Sequence, residues 1–230
     1  MRMPYAALIG AVFMLSGCVQ QSAPDAKVTA ELATLQSQVA QLQAQAQAAS
    51  DWTQVANLQA TYGYYVDKMH WDDAADLFAK DATLEIAGRG LFKGQDRIRT
   101  YLHALGEYKY GTLYNHMQLQ PVIHIAADGD SAQARWRAFI QVAHLGKEAR
   151  WGEATYENEY VKEAGTWKIN KLHAYITYYV EYDKGWNKGG VVLPAKLGAL
   201  EPDTPPTVKY GAFPEVFVPP YHYKNPVSGK

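Results

Sequence analysis

The chain has one cysteine in 230 residues, Cys18. No disulfide can close within it, and none of its stability can come from one. Its seven histidines are scattered, with no HxH or HExxH pairing, so the sequence carries no metal-ligand pattern. No GxSxG nucleophile elbow is present. Gly88-Arg89-Gly90 is glycine-rich but lacks the strand-to-helix setting of a phosphate cradle. An excess of either charge is missing too: 22 Lys and Arg offset 23 Asp and Glu, a net charge of −1. With no basic stripe and no aromatic RNA-binding motif, nucleic acid is not an expected partner. The sequence calls for no metal and no organic cofactor.

The N-terminus carries the first positive signal. Met1-Arg2 is a short basic start, Ala6 to Leu15 is apolar, and Leu15-Ser16-Gly17-Cys18 follows. The apolar run is too short to span a bilayer and ends in small residues, as a signal peptide does. Its exit resembles a bacterial lipobox, making 1–17 the signal peptide and Cys18 the lipidated first residue of the mature chain. Gln20, where an Asp would resemble an inner-membrane retention signal, points to a cell-envelope protein lipid-anchored in the outer membrane and facing the periplasm. Residues 18–50 form a spacer rich in Ala and Gln. Val28, Leu32, Leu35, Val39, Leu42, Ala46 and Ala49 alternate spacings of four and three, the seam of a coiled coil about three heptads long. A disordered tether of the same composition is the alternative.

Residues 51–182 suit one globular domain with a sizeable core. Asp51 is expected to cap a helix through Val55, Leu58, Tyr62, Tyr65 and Val66. Asp72 or Asp73 opens a second, and Gln95 to Leu105 a third with Ile98, Tyr101 and Leu102 on its apolar side. Asp81 to Ile86 reads as a short strand, and Phe92 to Gly94 as a turn region. Four strand-like runs follow, His116–Ile125, Ser131–Leu145, Arg150–Lys162 and Thr166–Tyr182, with turns at Asp128-Gly129, Gly146-Lys147 and Ala164-Gly165. Helices first and an antiparallel meander after predict an α+β fold with the helices on the concave face of a bent sheet. Residues 183–230 are rich in proline yet keep Trp186, Tyr210, Phe213, Phe217, Tyr221 and Tyr223. Disordered tails are poor in aromatics, so an ordered strap is expected, laid either over the pocket mouth, on a neighbouring subunit, or along its own sheet.

One constellation carries chemistry. Tyr62 and Asp67 are five positions apart on the first helix, within about one and a half turns, so both can face one side. His116, from a later strand, can meet them in a pocket. Asp67 would orient the imidazole and stabilise its charged form, His116 would move a proton, and Tyr62 would donate to a developing oxyanion. Tyr65 stands close enough on the helix to share or take the phenol's role. Seventeen Tyr and six Trp suit a cavity for something flat or apolar, and equally suit plain sheet packing.

At this point the chain resembles a family. The run from Asp67 to Leu102, "DKMHWDDAADLFAKDATLEIAGRGLFKGQDRIRTYL", the His116 strand and "ATYENEYVKEAGTWKIN" resemble the SnoaL-like branch of the NTF2-like cone fold. Scytalone dehydratase, ketosteroid isomerase, limonene epoxide hydrolase and bile acid 7α-dehydratase belong there. The resemblance covers roughly residues 51–173 and implies a cone: a strongly bent antiparallel sheet, helices on its concave face, and a helical spacer before it. It also implies a site. Asp67 and His116 fall on the helix aspartate and a catalytic histidine strand of scytalone dehydratase, and Tyr62, Asp67 and His116 are spaced like the Tyr–Asp–His set of the bile acid dehydratase. The ketosteroid isomerase base would fall on Ile86. The first-strand tyrosine of scytalone dehydratase falls near Gly88, and its serine and asparagine on Ala154 and Tyr156, so a different substrate is implied. The resemblance turns the Ala154, Tyr156, Asn158 face of the third long strand inward. Tyr65, Trp71, Tyr156 and Asn158 are the expected substrate contacts. Arg135, Arg137, Lys171 and His173 could supply a cation, but their faces are open at this stage. A cofactor-independent acid–base lyase (dehydratase or retro-aldol type) or isomerase on an apolar or aromatic small molecule is expected. The alternative is a non-catalytic envelope protein that binds a small molecule or acts as a scaffold. The family's dimers and trimers imply a homodimer or homotrimer.

Overall fold

Four long strands, Thr112–Ile125 (β3), Ser131–His144 (β4), Glu148–Glu163 (β5) and Thr166–Glu181 (β6), pair in succession as an antiparallel meander. β4 and β5 alternate inward and outward side chains, the period-2 pattern of a sheet with one face on a core. The computed structural model describes residues 25–188 and 197–230; the expected signal peptide and Cys18 lie outside the described residues. The other elements in chain order are α1 (Ala26–Asp67), α2 (Trp71–Asp76), β1 (Phe78–Ile86), a 3-10 turn (Ala87–Arg89), β2 (Leu91–Lys93), α3 (Gln95–His103) and a short α4 (Gly185–Lys188). The curved sheet has the order β2-β1-β6-β5-β4-β3, and the fold is α+β.

The chain divides into two units, residues up to Ala44 and Gln45–Lys230. In the first, Val28, Leu32, Leu35, Val39 and Leu42 are all more than half exposed on the helix. In the second, Val55, Gln59, Tyr62 and Val66 are buried. Their four-three-four spacing is one helix stripe, and it packs on the inner face of the sheet. There Phe78, Leu84, Ile98, Tyr101, Trp136, Tyr160, Ile169 and Leu172 fill the core. A polar layer crosses the core where Gln59 meets the sheet. Tyr160 Oη and Asn158 Nδ2 donate to Gln59 Oε1 at 2.8 and 3.0 Å, Gln59 Nε2 to Gln118 Oε1 at 3.0 Å, and Trp136 Nε1 to Tyr160 Oη at 2.9 Å. The layer runs on through Gln118 Nε2, which donates to the His116 carbonyl, and Asn158 Oδ1, which accepts from the His173 N–H, so its members find partners as a buried polar network requires.

Several sequence expectations change. Asp51 caps nothing, because α1 already runs from Ala26: the Ala- and Gln-rich stretch before it is strongly helix-forming and has no breaker. The Asp51 side chain is instead 1% exposed, accepts Trp167 Nε1 at 2.9 Å and sits 3.0 Å from Lys162 Nζ. β1 starts at Phe78 rather than Asp81, and β3 at Thr112 rather than His116. Part of the expected turn at Phe92 is strand β2, paired with β1. The sheet is not wholly antiparallel either, since β1 lies parallel to β6.

Residues 197–230 cross the outer face of their own sheet. Leu91 N–H donates to Thr204 O at 3.0 Å, and Thr207 donates through N–H and Oγ1 to the Glu85 carboxylate at 2.8 and 2.6 Å. Further on, Ile176 N–H reaches Tyr210 Oη, Arg135 reaches the carbonyls of Pro219 and Pro220, and His222 meets both Glu157 and His124. Of the three courses open to the strap, its described residues follow the one along the chain's own sheet.

Candidate functional site

The helices and the inner face of the sheet enclose a cavity of about 110 Å³, partly open to solvent. That is below the usual range for drug-sized ligands and suits a compact small molecule. Tyr62 and Val66 reach it from α1, Tyr101 from α3, Tyr114 and His116 from β3, Tyr156 from β5 and Tyr179 from β6. Ile86, Ile140, Val142 and Ile176 make its aliphatic walls, and Arg89 enters from the 3-10 turn. The surface is apolar and aromatic with a few convergent polar atoms.

Asp67 and His116 stand together at its edge. Asp67 Oδ1 accepts the backbone N–H of His116 at 2.5 Å and lies 3.7 Å from His116 Nδ1. That ring nitrogen is buried and has no hydrogen-bond partner. At 3.7 Å the carboxylate and ring are in ion-pair range but do not hydrogen-bond. Catalytic hydrogen bonds are often long before substrate binds. The close approach of α1 to β3 depends on Gly63. A Cβ there would sit 3.0 Å from both the His116 carbonyl oxygen and Gln118 Cγ. Asp67 itself lines a shallow groove beside the cavity, shared with His116.

The phenols are donors. Burial, reinforced by Tyr156 and Tyr101, pushes Tyr62 well above its ordinary pKa, and Tyr156 is raised chiefly by burial as well. Burial also lifts Tyr179 to about 12. All three stay protonated at neutral pH and can give a hydrogen bond to an anionic oxygen. The Tyr62 hydroxyl has no hydrogen-bond partner among the described residues, and its ring packs edge-on against Phe78 at 5.9 Å. Arg89 Nη1 donates to Tyr101 Oη at 2.7 Å. Burial works against its charge, but the facing phenols of Tyr101, Tyr179 and Tyr114 raise its pKa overall.

Of the expected residues, the structure brings Tyr62, His116 and Tyr156 to the cavity wall and Asp67 beside it. Tyr65 is not in the wall; it stacks on His70, with ring centroids 6.1 Å apart. Trp71 is buried, its Nε1 donating to Gly106 O at 2.6 Å. Asn158 faces inward but belongs to the Gln59 layer rather than the cavity. Arg135 pairs with Glu157, Arg137 with Glu153 at 3.4 Å and Lys171 with Glu159 at 3.1 Å, while His173 lies buried 3.7 Å from Glu85. None of the four lines the cavity, so the cation there is Arg89, which sequence reasoning left in a turn. Tyr101, Tyr114 and Tyr179 were missed as well. Among the described residues, no group of three or more His, Cys, Asp or Glu side chains is arranged to hold a metal ion.

An α+β cone with a single-histidine, phenol-rich cavity defines a class of small-molecule pocket proteins. The family model described as the SnoaL-like domain matches residues 47–173, more than half of the chain, and the chain belongs to that family. Among solved structures it is similar to a scytalone dehydratase-like protein from Novosphingobium aromaticivorans. That pair is 19% identical with a TM-score of 0.55, over 68% of this chain and 99% of that one. It is also similar to a type 2 hexachlorocyclohexane dehydrochlorinase, LinA, at 18% identity and a TM-score of 0.53, over 65% of this chain and 97% of the other. A further LinA structure gives 17% identity and a TM-score of 0.53, over 66% and 99%. At these identities the likeness is one of fold. No curated protein matches the chain.

Proposed function

We propose that the cavity is the active site of a cofactor-independent acid–base lyase or isomerase acting on an apolar or aromatic small molecule. One observation carries the reading: a histidine with a buried, unpartnered Nδ1 lies 3.7 Å from a carboxylate, at the wall of an apolar cavity. A small rotation of the ring gives Nδ1–H to Asp67, which fixes the tautomer and leaves Nε2 to take a proton from carbon. The imidazolium so formed is stabilised by Asp67 and returns the proton to the leaving group, while Tyr62 donates to the oxyanion. The names of two structural neighbours, a dehydratase and a dehydrochlorinase, both denote eliminations. The test offers β-hydroxy ketones and β-hydroxy acids with aromatic substituents, and follows the absorbance of the conjugated product. Turnover lost in His116→Ala supports the reading; wild type and His116→Ala indistinguishable across the panel would reject it. The second reading, a binding or scaffold protein, is favoured by Asp67 spending one oxygen on the His116 backbone.

From the N-terminal sequence alone we further propose that the protein is anchored in the cell envelope by lipid on Cys18. Cys18→Ser is expected to move it from the membrane to the soluble fraction with its circular dichroism unchanged; full retention in membranes would refute lipidation. The exposed seam from Val28 to Leu42 supports a homodimer or homotrimer, since buried apolar seams drive helix pairing. Light scattering at tens of micromolar is expected to give one of these states. A monomer, with or without residues 18–50, would exclude both.

A further inference from the structure

Arg89 is out of keeping with the rest of the cavity. Among the described residues no carboxylate pairs with it. Glu148, the acid nearest in influence to the Tyr114 and Tyr179 phenols, is itself held by Arg150 at 2.9 Å and His144 at 3.3 Å. One guanidinium nitrogen, Nη1, is used on Tyr101, and Nε is buried with no acceptor at all. A buried donor left unpaired is destabilising, a penalty that a bound acceptor would remove.

The backbone around Arg89 is built to hold it there. Ala87, almost fully buried, takes φ 52°, and Gly90 takes φ 89°. A side chain at Gly90 would meet Pro202 at 2.5 Å and the Thr204 carbonyl at 2.8 Å. Leu91 exchanges backbone hydrogen bonds with Asp203 and Thr204 at 3.0 Å each. The left-handed turn is thus clamped from outside by the strap, and its one long side chain points into the cavity. Strained turns held by their surroundings are a feature of ligand sites.

We infer that Arg89 is the anchor for a carboxylate on the ligand, so that the cavity takes an apolar or aromatic monocarboxylate with its acid group against the guanidinium. This rests on the cavity being the substrate site, but not on any turnover there. The planar fork suits a carboxylate, offering Nε and a second nitrogen in one plane. The Tyr62 hydroxyl, free of other partners, is a further donor in the same cavity, and the aliphatic wall of Ile140, Val142 and Ile176 takes the rest of the molecule. A neutral ligand of the same shape would leave the charge uncompensated.

The test is equilibrium binding to the full chain, without turnover. Benzoate, phenylacetate and 3-phenylpropanoate are titrated against their primary amides by calorimetry. At least one carboxylate is expected to bind about tenfold or more tightly than its amide. Arg89→Gln should abolish that preference, and Arg89→Lys should restore part of it. In parallel, the Arg89 Nε–H resonance should shift on adding the carboxylate to wild type, which keeps the question answerable if Arg89→Gln folds poorly. Equal affinity for acid and amide, no binding of any of the three acids at millimolar concentration, or a preference that survives Arg89→Gln would each overturn the assignment. A carboxylate preference together with no elimination activity would uphold the anchor and reject only the proposed lyase.

Discussion

Asp51→Ala should destabilise the domain by about 3–5 kcal/mol, the scale for removing one partner of a buried pair. In a domain of this size that is roughly a 10 °C fall in melting temperature. The loss has two parts. Trp167 Nε1, whose ring is 3% exposed, loses its acceptor at 2.9 Å, and Lys162 Nζ loses its counter-charge at 3.0 Å. Asp51→Asn should be milder, because an amide oxygen can still accept from Trp167. The pair also sets an acid limit. Burial alone would raise the Asp51 pKa, but hydrogen bonds from Trp167, Lys162 and Gln47 outweigh it and leave the value below the ordinary 3.8. A carboxylate with a lowered folded pKa stabilises fully above its unfolded value, and that contribution fades as pH falls through the folded one. Wild type should therefore lose stability below about pH 4 more steeply than Asp51→Asn. Thermal unfolding by circular dichroism between pH 3 and 7 measures both; a loss under about 1 kcal/mol for Asp51→Ala would mean the pair contributes little.

That residue also marks where the sequence stopped being legible. Apolar periodicity located every long element, because a helix stripe and a strand alternation each require their own spacing. A carboxylate before an apolar run is a fair start signal, but the start depends on what lies upstream, and the Ala/Gln stretch simply continues the helix. Pairing partners are invisible to periodicity, so the parallel β1/β6 contact could not be read. Tyr114 could have been found, since it shares the parity of His116 two positions on. Tyr179 could not. Leu172, Ala174 and Ile176 set an even-numbered inward face on β6, and only the register shift opposite Glu153 and Ala154 turns Tyr179 inward instead of Tyr178. Gly152, directly across, leaves room for its ring, since a Cβ there would lie 2.6 Å from it. Arg89 did leave a trace: it is the only charge between Ile86 and Phe92, an arginine in an apolar stretch with no acid beside it.

His116→Ala and Asp67→Asn should each lower turnover of a true substrate by about a hundredfold or more, the scale for a lost acid–base group. The structure separates the two jobs of Asp67. Its hydrogen bond to the His116 backbone can be kept by an asparagine oxygen, so Asp67→Asn should change stability by less than about 1 kcal/mol, while Asp67→Ala leaves a backbone N–H unpaired and should cost about 1–3 kcal/mol. Activity should not follow that order. Both replacements remove the negative charge 3.7 Å from Nδ1, so both should be equally inactive despite their different stabilities. Tyr62→Phe should be milder, because Tyr156 and Tyr179 also offer protonated hydroxyls to the cavity. Residues acting as one unit are not additive, so the Asp67→Asn/His116→Ala double variant should lose little beyond the worse single one. Multiplied losses in the double variant would mean that the carboxylate and the imidazole act separately, with Asp67 serving only to fasten β3 to α1.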